Sequence, residues 1–221
     1  MENKLHTWFY TKKHKMKCYK WIHYLDIYEK HFAKFSRRKR ISILEIGVYD
    51  GGSLEMWDNY FNRAKIVGVD INKECLKLQK NFGENVIIEL GDQARPDFWE
   101  DFKKRHEPFD IIIDDGGHMM NQQLTTFECM YDHVKENGVY LVEDTHTSYY
   151  NNFGGGLNRP ETFIEKTKAF IDAMHVHHFK KDIPKDKRWI DFHSKTQSVT
   201  YYDSVVVFDK KKQNLPEAKK L

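Results

Sequence analysis

Cysteine and proline are scarce in this 221-residue chain, at three and five copies, and glycine is held to twelve. The cysteines Cys18, Cys75 and Cys129 are odd in number, far apart and without a CxxC pair, which argues against a disulfide framework and a thiolate zinc site. So little Gly and Pro, beside 40% hydrophobic and 31% charged residues, excludes collagen-like and low-complexity chains. Long apolar runs are also missing. Stretches such as Ile111–Ile113 and Val205–Phe208 fall far short of the roughly 20 residues that cross a bilayer, so no membrane insertion is expected. Lys4, His6, Lys12, Lys13 and Lys15 interrupt the start and leave no apolar segment of a secretory signal, so the expected location is the cytoplasm.

What is present is unevenly distributed. Residues 1–40 carry twelve Lys/Arg against three Asp/Glu, whereas the remainder carries 24 against 30. Within this basic arm Trp21, Leu25, Tyr28, Phe32 and Phe35 recur at the spacing of one helix face, which predicts an amphipathic helix from about Lys17 to Phe35. The run Arg37–Arg40 that follows suits a helix C-terminus. From residue 41 the pattern changes to short apolar runs at Ile41–Ile46, Ile66–Val69, Val86–Leu90, Phe109–Ile113 and Val139–Val142. Continuous rather than alternating runs mark strands buried on both faces, hence a parallel sheet with helices on both sides. Ser198–Tyr202 and Ser204–Phe208 are too close for a crossover and read as an antiparallel hairpin. A helix with Phe163, Thr167, Phe170, Ile171 and Met174 on one face precedes them. The expected class is α/β, a doubly wound, Rossmann-like sheet of five parallel strands plus that C-terminal hairpin. The expected units are a helical extension over 1–40, a catalytic domain over 41–209 and a Lys-rich tail over 210–221.

The parallel strands end in acids: Glu45, Asp70, Asp92, Asp114 with Asp115, and Glu143 with Asp144. Open α/β sheets bind ligands outside those carboxyl ends, so the site belongs there. The first strand runs into Gly47-x-x-x-Gly51-Gly52-Ser53 and a helix, a turn that admits a ligand to the backbone. Its spacing is not the G-x-G-x-x-G of pyrophosphate binders, and no G-K-[ST] occurs, which disfavours NAD and ATP. Asp70 is placed for a ribose diol, Asp92 and Gln93 for adenine, and Glu45 for an ammonium. Carboxylate, ammonium, ribose and adenine together describe S-adenosylmethionine, and residues 41–208 here resemble the class I methyltransferases. The cofactor candidates are Glu45, Gly47, Gly51, Ser53, Asp70, Asp92, Gln93 and Asp114.

Adjacent strands would gather Asp115, Glu143 and Asp144 at one edge. Three carboxylates repel unless protonated or bridged by a cation, and oxygen ligands suit Mg²⁺ (or Mn²⁺, Ca²⁺). His118, three residues after Asp115, is the candidate base for deprotonating a hydroxyl beside that metal. The segments Asp114–His118, Glu143-Asp144, Gly91–Gln93 and Gly51–Trp57 resemble the Mg²⁺-dependent sugar O-methyltransferases of macrolide biosynthesis, with their macrocin-type and cephalosporin-hydroxylase-like relatives. That resemblance implies Asp115, Glu143 and Asp144 as metal ligands and His118 as base. Gly117 stands where the family has Ser. The family's larger N-terminal domain is absent from these residues, so its macrolide substrate is not carried over. By resemblance His23, Tyr24, Tyr28 and Glu29 match a motif preceding the sheet, and Thr145–Gly156, with His146, Tyr149 and Tyr150, matches an active-site loop. His23, Tyr24, His146 and Tyr149 are the substrate candidates. The expected activity is O-methylation of a sugar hydroxyl on a small glycoside, a nucleotide- or phosphate-linked sugar or a polysaccharide precursor, by a homo-oligomer. A catechol or RNA acceptor, and a non-catalytic RNA-binding module using the arm, are the alternatives; the arm carries no RNA-binding signature.

Overall fold

Five apolar runs buried on both faces need a layer of helices on each side, and the chain supplies both. The computed structural model describes residues 3–11, 13–38, 40–61, 63–181, 183 and 185–220. The strands are β1 (Ser42–Ile46), β2 (Lys65–Asp70), β3 (Val86–Leu90), β4 (Phe109–Asp114), β5 (Val134–Val142), β6 (Thr196–Tyr202) and β7 (Val205–Lys210). They form one mixed sheet in the order β3-β2-β1-β4-β5-β7-β6. The pairings among β1 to β5 are parallel, and β7 lies antiparallel between β5 and β6. β7 takes the interior position because Val205–Phe208 are buried without alternation, whereas β6 is half-exposed along most of its length, as an edge strand is.

The helices are α1 (Lys4–Thr11), α2 (Ile22–Phe32), α3 (Gly52–Tyr60), α4 (Pro96–Arg105), α5 (Met120–Met130), α6 (Phe163–Met174) and α7 (Lys187–Lys195), with a 3-10 helix at Lys73–Asn81 between β2 and β3. Strand side chains alternate between the two faces. Ile43, Ile66, Ile111 and Ile113 pack under α1, α2 and α3, while Leu44, Val67, Ile112 and Tyr140 pack under α4 to α7. The order reverses at β1, between β2 and β4, and that switch point opens a crevice at the carboxyl ends.

The arm departs from its expected form. Its helix begins at Ile22, not Lys17, and ends at Phe32 with one 3-10 turn, Ala33–Phe35. Residues 13–21 form a non-helical strap instead. The Glu55 carboxylate accepts the N–H groups of Lys15 and Met16, and the strap backbone at Lys17–Cys18 lies so close to Gly52 that a Cβ there would meet it at 2.2 Å. Leu25, Tyr28, Phe32 and Phe35 are buried in the main core, so the arm is not a separate unit; burying each contributes about 2 kcal/mol. Trp21 leaves the expected apolar face and stays 54% exposed. α1, which spacing did not reveal, packs Leu5 and Trp8 into the same core. Of the basic run, Arg38 stacks over Phe35 at 5.0 Å, and Lys39 lies outside the described residues. At the other end β7 passes the expected boundary at 209, because Lys210 is buried. Ile171 turns outward from its expected face.

Candidate active site

The glycine turn is built by close approach. Gly47 has φ +94°, and a Cβ there would meet the carbonyl oxygen of Asp115 at 2.0 Å, so the loops after β1 and β4 can touch only at glycine. Asp70 braces the turn: Oδ2 accepts the N–H groups of Val48 (2.8 Å) and Tyr49 (3.0 Å), and Oδ1 that of Asn72 (2.8 Å). Beside it opens a cavity of about 410 Å³. Gly47, Ser53, Asp70, Asp92 and Gln93 line it together with Asp115, His118, Glu143 and Asp144, and Lys17, Tyr19, Lys20 and Trp21 of the strap complete the lining.

Three expected cofactor residues do not line that cavity. Glu45 shares the face of Ile43, with the helical layer of the arm, and is fully buried. Ser53 and Trp57 face it without closing a hydrogen bond, and burial pushes its carboxyl up to about 7. Asp114 is buried on the opposite face, where burial likewise raises it to about 7, and it accepts from Gln93 Nε2 at 3.0 Å. Its work is to hold Gln93, whose amide hydrogens go to Asp114 and Thr126 and whose oxygen accepts Gly117 N–H at 2.8 Å. Gly51 faces the Met16 sulfur of the strap.

Past the ends of β4 and β5 the acids converge, but not as three equivalent ligands. Asp115, His118 and Asp144 each present a donor atom, all within 4.8 Å of one another. His118 Nε2 lies 3.4 Å from Asp144 Oδ2 and 3.9 Å from Asp115 Oδ1. Both His118 (φ 56°) and Asp144 (φ 51°) hold left-handed backbone, an uncommon conformation that concentrates at functional sites. Thr147 ties them, its hydroxyl donating to the carbonyls of both His118 and Asp144. Tyr24 donates to Asp144 Oδ1 at 2.7 Å. His118 Nδ1 is buried without a partner.

Glu143 stands apart from this group. Its Oε1 accepts from Tyr28 at 2.5 Å and its Oε2 from Lys20 at 2.9 Å; burial, reinforced by Asp115, holds its carboxyl well above the usual range. Lys20 also donates to Asp115 Oδ2 and lies 3.7 Å from Glu45 Oε1. This lysine was invisible to sequence reasoning, being one of the arm's twelve cations with no spacing rule to single it out. Asp115 and Asp144 fit a hard divalent ion, offering carboxylate oxygens that face the cavity, with the His118 imidazole beside them.

No protein-family model matches the chain. It is 33% identical over 176 residues to mycinamicin VI 2''-O-methyltransferase of Micromonospora griseorubida, covering 74% of this chain and 42% of that enzyme. It is 30% identical over 75% of its length to demethylmacrocin O-methyltransferase of Streptomyces fradiae, 43% of which is covered. Along the matched residues the chain is homologous to these sugar O-methyltransferases. It spans less than half the length of these curated relatives. Among solved structures, the MycE methyltransferase of the mycinamycin pathway, in complex with Mg and SAH, superimposes with a TM-score of 0.78 at 26% identity, over 95% of this chain and 54% of that one.

The strap and the first residues after β5, Glu143 and Asp144, line the cavity, and the rest of the loop after β5 packs behind Trp21. Trp21 stands edge-on to His23 and to His146, and His146 faces Tyr150 at 5.3 Å. His146 Nδ1 bonds Ser204 Oγ at 2.5 Å, and His23 bonds the carbonyl of Asp203 at 3.1 Å. Of the four substrate candidates only Tyr24 lines the cavity; His23, His146 and Tyr149 lie outside it. Trp21 lines it and was not among them.

Proposed function

We propose that this chain transfers the methyl group of S-adenosylmethionine to a sugar hydroxyl, with a divalent metal, Mg²⁺ first, held by Asp115 and Asp144. The observation that carries this reading is that the Asp115, His118 and Asp144 group and the Asp70-braced glycine turn open onto one cavity. The complexes of MycE with Mg, SAH and mycinamycin VI support the same pairing of cofactor, metal and sugar acceptor here.

The turn and Asp70 hold the nucleoside, with Asp92 beside it. Asp115 and Asp144 would hold a divalent ion, which would supply Lewis-acid polarisation of the acceptor hydroxyl. His118 Nε2 would take the hydroxyl proton, and S-adenosylmethionine, held at the glycine turn, would supply the methyl group and leave as neutral S-adenosylhomocysteine. Trp21 offers an exposed ring at the rim, where an apolar sugar face stacks while its hydroxyl reaches inward. The acceptor is a sugar on a small glycoside, a nucleotide or phosphate, or a polysaccharide precursor.

Methyl-labelled S-adenosylmethionine incubated with a panel of nucleotide sugars and glycosides tests this. Label transfer abolished by EDTA and restored by Mg²⁺ is expected. Undiminished transfer in EDTA would remove the metal, and failure to bind S-adenosylhomocysteine would remove the reading altogether.

A further inference from the structure

Lys20 comes from the basic arm yet its side chain is only 3% exposed. It reaches the carboxyl ends of three neighbouring strands at once: Asp115 after β4, Glu143 after β5 and Glu45 on β1. The Tyr28 ring lies 5.9 Å from the ammonium. Its ammonium thus donates to Asp115 and Glu143 and has Glu45 within ion-pair range, the environment of a small bound cation.

The division of oxygens is informative. Asp115 gives Oδ2 to Lys20 and turns Oδ1 toward His118, so one carboxylate serves two cation positions. Glu143 has no oxygen free of a partner, because Tyr28 and Lys20 take one each. The resemblance assigns Glu143 to the metal, whereas here both its oxygens are engaged by Lys20 and Tyr28. Two positive charges sharing Asp115 at this range repel, most strongly where water is excluded.

We propose that Lys20 is a built-in surrogate cation: its ammonium holds Asp115 and Glu143 together and competes with the divalent ion for Asp115. This rests on the metal-dependent reading above. Lys20 is a positioning residue, acting through the two acids. It spares the free protein the repulsion of clustered carboxylates, and it weakens metal binding so that affinity is set by a residue outside the ligand set.

Mn²⁺ binding, followed by electron paramagnetic resonance and calorimetry, tests this on wild type, Lys20→Met and Lys20→Arg, with Lys210→Met as a control for loss of another buried lysine. Lys20→Met is expected to bind Mn²⁺ about tenfold more tightly or better, since one charge is removed from the cluster and two oxygens are freed. It should also melt lower in EDTA and recover with Mn²⁺. Lys20→Arg and Lys210→Met should bind as wild type does. Unchanged or weaker binding by Lys20→Met overturns the inference and leaves the proposed function standing. If Lys20→Met folds only with metal, half-refolding at a Mn²⁺ concentration below the wild-type dissociation constant supports it, and refusal to fold at any concentration overturns it. A wild type that binds no Mn²⁺ overturns it together with the metal half of the proposed function, while S-adenosylhomocysteine binding on the same samples reports on the remainder.

Discussion

Two lysines are buried at opposite edges of this sheet, and their surroundings drive them in opposite directions. Lys20 lies at the carboxyl edge, where burial alone would lower its pKa but Asp115 and Glu143 overcome it and hold the ammonium well above its ordinary value. Lys210 ends β7 near the start of β5, and its Nζ donates to the carbonyls of Tyr131 and Val134. There burial wins and pulls it down to about 8, with Asp132 and Asp191 offsetting only part. Burial of a charge therefore does not mark a site; the company does. Carbonyls make Lys210 a cap on the turn before β5, whereas three acids make Lys20 part of a charge cluster that chemistry can use.

The comparison breaks first if the carboxyl edge is not the chemical edge. His118→Ala should lower methyl transfer by about 10² to 10⁴-fold, the usual range for a general base, with S-adenosylhomocysteine affinity unchanged. An equal loss of cofactor binding would mean that His118 only supports the fold. On stability the two lysines should separate. Lys20→Met in EDTA leaves Asp115 and Glu143 without their cation and should cost about 3–5 kcal/mol by urea unfolding. Lys210→Met strands two carbonyls but ends the burial of an ammonium, so a cost of about 1–2 kcal/mol is expected. Equal costs would erase the distinction. Smaller again, Trp21→Ala should raise the acceptor KM severalfold, worth about 1 kcal/mol, without touching cofactor binding, and Trp21→Phe should restore most of it.

How much of this was legible in the sequence follows from what kind of signal each feature leaves. The strands of the parallel sheet were, because burial on both faces writes an unbroken apolar run into each. Asp115, His118 and Asp144 were, because residues just past strand ends fall at one edge whatever the loops do. Glu45 and Asp114 lie off the cavity lining, which the sequence did not show, since a strand-ending acid looks the same whether it faces the cavity or one of the two helical layers, and only the period of two across β1 and β4 separates them. The strap was illegible: its conformation comes from Glu55 and Gly52, some 35 to 40 residues away, which override the local helical spacing. Lys20 was hidden for the same reason, as its partners lie 95 and 123 residues along the chain.

The subtlest separation of the two lysines is in pH. Lys210 has a folded pKa of about 8 against 10.5 for an ordinary lysine. Below pH 8 both folded and unfolded chains carry its proton, and the full burial penalty weighs on the fold. Between 8 and 10.5 the unfolded chain binds more protons than the folded one, so stability rises with pH in that window. Lys20 has the reverse sign: its folded value stands above 10.5, so its contribution is complete below that and is lost only as pH climbs through the folded value. Urea unfolding of wild type and Lys210→Met at pH 7, 8.5 and 10 reads this directly. Wild type should gain on the variant from pH 8.5 to 10 and run level with its pH 7 offset below 8. A constant offset across the three values would show that Lys210 titrates as a solvated lysine, and the contrast with Lys20 would then rest on geometry alone.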